Sequence, residues 1–306
     1  MLPRSPTMHS HMSNFPRSAH TFDYPRYLKA LEPVSARAQS EVLYQQFLEA
    51  LVSRSREMKA VPRVLEIGAG RGDQMKRILH DMALRDVALH YTALEPESAN
   101  RAVVETKVRA CNTNLHTIEI KSDPFLSFMT GEPVRSCDAI VARSVLDLMP
   151  LQKCLAALDA GMSKAGVLYA PLTFAMATRL APYPGEHADK TESQIVSVYH
   201  QSILKKLKQS KNIYLAQEVM NWANEKNARV DVRGSDWVIA PSKKKYRGDE
   251  SYALQSILAF MHDETKKKSA VEQTDLDAWW ATRMRMLHGG TLIYTANQFD
   301  LLICFP

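Results

Sequence analysis

The residues that could do chemistry gather at the ends of short apolar runs. The first string is Val64-Leu-Glu66-Ile-Gly68-Ala69-Gly70-Arg-Gly72-Asp73. Glycines at alternate positions let the chain turn tightly and approach a ligand without a side chain in the way. The spacing is GxGxG. A dinucleotide fingerprint needs GxGxxG, and Asp73 stands three beyond Gly70, where its charge would repel a pyrophosphate at the helix start. No Gly-Lys-Ser/Thr follows, which excludes a P-loop. Two further acids come in order. Glu95, in Tyr91-Thr-Ala-Leu-Glu95-Pro96, can accept both hydroxyls of a ribose. Asp123, in Lys121-Ser-Asp123-Pro124-Phe125, can accept from an adenine amino group. Alone, Glu95 reads as readily as a cap or a surface charge; with Glu66 and Asp123 at successive strand ends it reads as a nucleoside site.

Arg143 follows the fourth apolar run and could clamp a carboxylate of substrate or cofactor. The plainer role is a salt bridge with Asp147 one turn later. His200 is the candidate general base, since imidazole has the right intrinsic pKa; a structural histidine is the alternative. Tyr199, Trp237 and Tyr294 could line an acceptor pocket for a flat or cationic molecule, or simply pack. His288 beside a helix stop is explained as a C-terminal cation. Gln298 and Asp300 alternate with Phe299 and could reach a cleft or solvent. No metal-ligand cluster is evident. Cys111, Cys137, Cys154 and Cys304 form no CxxC pair and fit a reducing, cytoplasmic compartment.

The elements that must position these residues alternate. A helix is expected over 35–55 and strands at Arg63–Ile67, Val87–Leu94, Leu115–Ile120, Cys137–Ala142 and Gly166–Pro171. Helices are expected from Asp73, as N-cap, and over 97–110 and 151–162. That is a doubly wound, mostly parallel sheet. Residues 190–227 read as mostly helical, 228–232 and 237–240 as strand pieces, and 249–263 and 275–287 as helices. Thr274 is the expected cap of the last of these, and Leu276, Trp279, Trp280, Arg283, Met284 and Leu287 its core stripe. Thr291–Phe305 closes the chain as a β segment.

The 306 residues carry 39 basic and 33 acidic side chains, a net charge of +6. This is ordinary globular composition, and no apolar run is long enough to span a membrane. Residues 1–22 have two arginines and no acid; they read as a disordered leader, with an organelle transit peptide as the alternative. Lys266–Lys268 closes a helix opened by acids, as the macrodipole favours. Lys205–Lys211 and Lys243–Arg247 could attract phosphates but are more simply solvated faces, so nucleic acid is not the favoured partner.

Residues 60–175 resemble the class I S-adenosylmethionine (SAM)-dependent methyltransferases. Glu66-Ile-Gly68-Ala69-Gly70-Arg-Gly72 is similar to their first motif, in which the acid orients the loop and the glycine backbone lies against the methionine part of the cofactor. The resemblance implies that Glu95, with Pro96 beside it, holds the ribose, that Asp123 and Pro124 meet adenine, and that Arg143 and Ser144 border the sulfonium and the substrate. It implies strand order 3-2-1-4-5-7-6 with the last strand antiparallel. Residues 23–306 would form one domain, with 60–175 the cofactor core and 176–227 and 241–290 helical additions over the cleft. The turn Arg143-Ser144-Val145-Leu146 lacks the Asn/Asp-Pro-Pro-Tyr/Phe pattern of enzymes that methylate planar amines, and no cysteine stands beside it for C5 chemistry. The expected activity is methyl transfer from SAM to a small polar molecule. An RNA or protein methyltransferase docking through the lysine patches, and a non-catalytic SAM-binding subunit, are the alternatives.

Overall fold

The computed structural model describes residues 22–110, 115–131, 136–206 and 215–306. In chain order these form α1 (Tyr24–Ala38), α2 (Glu41–Met58), β1 (Arg63–Ile67), α3 (Asp73–Ala83), β2 (His90–Leu94), α4 (Ser98–Ala110), β3 (Thr117–Lys121), α5 (Phe125–Met129) and β4 (Cys137–Val141). There follow a 3-10 turn (Leu146–Leu148), α6 (Leu151–Gly161), β5 (Met162–Ala181), α7 (Glu186–Lys206), α8 (Leu215–Glu225), β6 (Arg229–Gly234), β7 (Trp237–Ile239), α9 (Glu250–Lys268), α10 (Gln273–His288) and β8 (Ile293–Cys304).

The sheet order is β3-β2-β1-β4-β5-β8-β6, with the short β7 also pairing to β8. β1 to β5 run parallel, and β8 is antiparallel to both β5 and β6. This is the order the resemblance implied, with β7 as an extra piece at the far end of β8. The alternation of β1 sorts two cores: Leu65 and Ile67 pack with α5, α6 and α8 on one face, Val64 with α2, α3 and α4 on the other. A third apolar cluster joins α1, α7, α9 and α10 to the outer ends of β5, β7 and β8. Short strands ending in turns leave the carboxyl ends of β1 and β4 as the place where a ligand can lie.

Four expectations are corrected. The helix expected over 35–55 is two helices. Ser40 accepts from Leu43 N and caps α2, while Asp23 accepts from Arg26 N and caps α1. Gly72, in the left-handed conformation, is the N-cap of α3, and Asp73 is its first residue. Glu272, not Thr274, precedes α10. β5 does not stop at Pro171 but runs on to Ala181, so residues 176–181 of the expected helical addition are strand. The reason is β8: its ladder with β5 continues past two register shifts, from Val167 opposite Cys304 to Ala181 opposite Ile293. The expected leader lies outside the described residues except Phe22, which packs edge-on against Phe260 with ring centres 5.0 Å apart.

The core stripe of α10 is present, with Leu276, Trp279, Arg283 and Leu287 buried. Arg283 sits there as half of an ion pair: its Nε donates to Glu192 Oε2 at 2.7 Å, and Trp279 Nε1 donates to the same oxygen at 2.8 Å. α10 is thereby tied to α7. α1 is tied to α9 by Arg26, which is bonded through two nitrogens to Asp249, and by Arg37 on Glu250.

Asp300 on β8 is fully buried and accepts from Leu172 N at 2.8 Å and Ser40 N at 2.6 Å. Removing the carboxylate strands two backbone donors away from water, each a loss of about 1.5–3 kcal/mol when the acceptor is charged. Asp300→Ala is therefore expected to lower stability by about 3 kcal/mol in a urea melt. A change below about 1 kcal/mol would show that the two amides find other partners.

Candidate active site

A cavity of about 440 Å³ opens at the carboxyl ends of β1 and β4, within the usual size of small-molecule sites. Its floor is the glycine turn after β1 and the turn after β4, with Glu66, Gly68, Ala69, Gly70, Arg143 and Ser144. Its far wall is β5, β7 and β8, with Phe174, Trp237, Tyr294 and Gln298. α1, α7 and α9 roof it through Tyr27, Tyr199 and Phe260.

The three turn glycines all have positive φ, but for different reasons. A Cβ on Gly68 would lie 2.8 Å from Val145 Cγ2, and one on Gly72 would lie 3.2 Å from Val104 Cγ2. Those two glycines make room for packing. A Cβ on Gly70 would meet nothing nearer than the Gly68 carbonyl oxygen at 4.0 Å. Gly70 faces open space, as a backbone that receives a ligand must.

Six side chains that line the cavity carry a buried nitrogen or oxygen with no hydrogen-bond partner among the described residues: Arg71 Nε, Gln74 Nε2, Arg143 Nε, Asp147 Oδ1, Trp237 Nε1 and Gln298 Oε1. These atoms have almost no accessible surface, so they sit behind the lining rather than on it, and five more among the described residues, on Gln46, Asp231, Ser235, Glu250 and Arg283, lie away from the cavity.

The charges are sorted. Burial raises Glu66 to about 8, against the hydrogen bond from Tyr91 Oη at 2.9 Å and the nearby Arg143. Arg143 is itself depressed by burial and faces Glu66 and Asp73. Asp147 does not face Arg143; burial lifts its carboxyl to about 6, opposed only by its own backbone amide.

Glu95 is buried beside the loop rather than on the cavity lining. Its Oε2 accepts from Gly70 N at 2.6 Å and its Oε1 from Glu97 N at 3.0 Å. It fixes the turn and also takes a side-chain hydrogen bond from Asn100. Tyr24, at the start of α1, lies near enough for Glu95 and Glu97 to add to the burial that raises its hydroxyl to about 12. Pro96 gives its carbonyl to Arg101 at 2.5 Å. Asp123 and Pro124 are exposed beyond β3, and neither they nor Gly72 lines the cavity.

His200 is also outside the lining. Its Nε2 lies 3.0 Å from Thr178 Oγ1, and Thr178 in turn bonds Tyr294, which does line it. Burial pushes the imidazole down to about 4. The structure thus brings together Glu66, Gly68, Ala69, Gly70, Arg143, Ser144, Tyr199, Trp237 and Tyr294, and holds His200 one hydroxyl away. Cys137 and Cys154 are absent from the lining, and burial raises their thiols to about 11 and about 12. Among the described residues no group of His, Cys, Asp and Glu could hold a metal ion, and no helix is long and apolar enough to cross a membrane.

Sequence reasoning missed Tyr27, Gln74, Phe174 and Phe260, all on the lining. Gln298 does reach the cavity, while its neighbour Asp300 serves the backbone.

No family model matches the sequence, and no curated protein sequence matches it. Solved structures with some likeness include phosphoethanolamine N-methyltransferase 2 of Haemonchus contortus in complex with S-adenosyl-L-methionine. It is 12% identical over 85% of this chain, with a TM-score of 0.40, and this chain spans about half (52%) of its length. Mycolic acid cyclopropane synthase CmaA1, complexed with S-adenosylhomocysteine (SAH) and CTAB, is 10% identical over 78% of each chain, TM-score 0.38. The YcgJ protein of Bacillus subtilis is 10% identical over 84% of this chain and 97% of its own, TM-score 0.44. At these values the likenesses carry no conclusion about the reaction, and the fold rests on the strand order itself.

The low imidazole pKa has a measurable consequence. His200 binds a proton near pH 4 when folded and near the ordinary 6.5 when unfolded. Its contribution to stability is therefore present above pH 6.5 and lost as pH falls toward 4. His200→Gln should flatten that part of the stability–pH curve. An unchanged slope between pH 6.5 and 4.5 would show that His200 titrates normally.

Proposed function

We propose that this chain is a SAM-dependent methyltransferase acting on a small molecule, with the methionine part of SAM at the glycine turn and the acceptor in the aromatic half of the cavity. The observation that carries it is Gly70: a left-handed glycine facing open space on the floor of a cavity that Glu66 and Arg143 also line. Arg143 lines the cavity just past the β4 end, and its guanidinium would hold the cofactor's carboxylate in a charge-assisted bond. Glu95 would carry the ribose while still pinning Gly70 N. Asp123 and Pro124, exposed beyond β3, would border the adenine.

When bound, SAM supplies an electrophilic methyl group on a sulfonium. The chain's part is alignment and dryness. Tyr199, Trp237 and Tyr294 hold the acceptor from three elements, and α1 with α9 closes the space above it. With an imidazole held near pKa 4, His200 is a weak proton acceptor, and its bond to Thr178 fits it to orient Tyr294. The lysine-patch alternative has no matching observation: Lys243, Lys244 and Lys245 are exposed on a turn away from the lining, and Lys208 and Lys211 lie outside the described residues.

Two substitutions separate a ligand role from a packing role. Gly70→Ala adds a methyl where there is space, at a backbone cost of about 1–2 kcal/mol for the left-handed conformation. It should leave a cooperative fold and weaken SAH binding at least tenfold by calorimetry. Gly68→Ala should cost more stability, because its methyl meets Val145. A folded Gly70→Ala protein with wild-type SAH affinity would remove the assignment.

A further inference from the structure

Every charged side chain on the cavity lining faces an opposite charge except one. Arg143 faces Glu66 and Asp73, and Arg71 lies 3.9 Å from Glu32. Asp73 is paired with Lys107, and Glu264 with Lys267 at 2.9 Å. Asp147 has no basic side chain against it among the described residues, and its Oδ1 is buried without a hydrogen-bond partner. The side chain that feels its charge is Tyr199, which in turn interacts with Tyr27 and Tyr294. Asp147 is half-buried and is held by its own backbone amide alone; a carboxylate without a counter-charge at a cavity wall is costly, and such groups cluster at binding sites.

From this we infer that the acceptor carries an ammonium group, held by Asp147 in the cavity that Tyr27, Tyr199 and Tyr294 also line. The inference rests on the reading that the same cavity holds SAM on its glycine side. A carboxylate supplies the counter-charge, and an aromatic lining favours a cation shielded from water. An anionic acceptor would meet the same carboxylate as a repulsion, since both arginines of the lining are engaged on the glycine side. Phe174 and Trp237 then accommodate a flat apolar body attached to the amine.

The test uses three molecules of one shape: 2-phenylethylamine, 2-phenylethanol and phenylacetate, titrated by calorimetry into the full chain saturated with SAH. The amine should bind at least tenfold tighter than the alcohol, and the acid weakest. Asp147→Asn should abolish that preference while SAM and SAH affinities each stay within twofold. The melting temperature of the ligand-free Asp147→Asn protein should equal or exceed the wild type, since an unpaired charge has been removed.

The inference is overturned by no amine binding, equal binding of amine and alcohol, a preference that survives Asp147→Asn, or a melting temperature several degrees lower in the variant. If Asp147→Asn weakens SAM but not SAH, the carboxylate serves the sulfonium and the inference also fails. Absence of SAH binding by the wild type would be a different failure, that of the methyltransferase reading, and would take this inference with it.

Discussion

One buried carboxylate holds the functional end of the molecule in shape. Asp300 lies on the last strand, yet it binds the first residue before α2 and the bulged residue of β5. Leu172 has φ of +59° there, and the β5–β8 register skips between Ala170 and Thr173. An L residue enters that conformation only where its surroundings compensate, and the Asp300 bond to its amide is the visible compensation. The bulge presents Leu172 to the cavity, and the Ser40 contact sets where α1 ends and so where the roof begins. Roof, wall and sheet meet at a single side chain.

Around that anchor, buried polar pairs tie the elements together: Glu192 takes Arg283 and Trp279, Asp138 takes Arg63 N and Arg54, and Gln39 reaches Tyr169 Oη at 2.7 Å. The cavity they frame has two halves. The glycine side holds both arginines and the acids they face, and the aromatic side holds Asp147.

Much of this was legible in the sequence, and the gaps have physical causes. The parallel strands announce themselves as apolar runs ended by glycine or acid, and the buried stripe of α10 by its spacing. α1 was hidden because Pro25 and Pro33 look like stops. Pro25 sits in the first turn, where its missing donor costs nothing, and Pro33 is accommodated inside the helix. The full length of β5 was hidden because Pro171 is a poor ladder residue and nothing local shows that β8 will pair beyond it. Helical spacing offers Asp147 as the alternative partner of Arg143, but the segment between them is a turn leading into a 3-10 helix, so they share no helix face. For His200 the sequence leaves a general base and a structural histidine both open, and only the packing shows it against Thr178 and Phe174.

The central claim is that the cavity at the glycine turn receives SAM. A crystal structure of the chain grown with SAH tests it most directly. The account predicts the homocysteine part against Gly68–Gly70, its carboxylate within hydrogen-bond distance of the Arg143 guanidinium, and the ribose hydroxyls on Glu95. Density for SAH at any other place, or none at saturating concentration with the cavity unchanged, would contradict it.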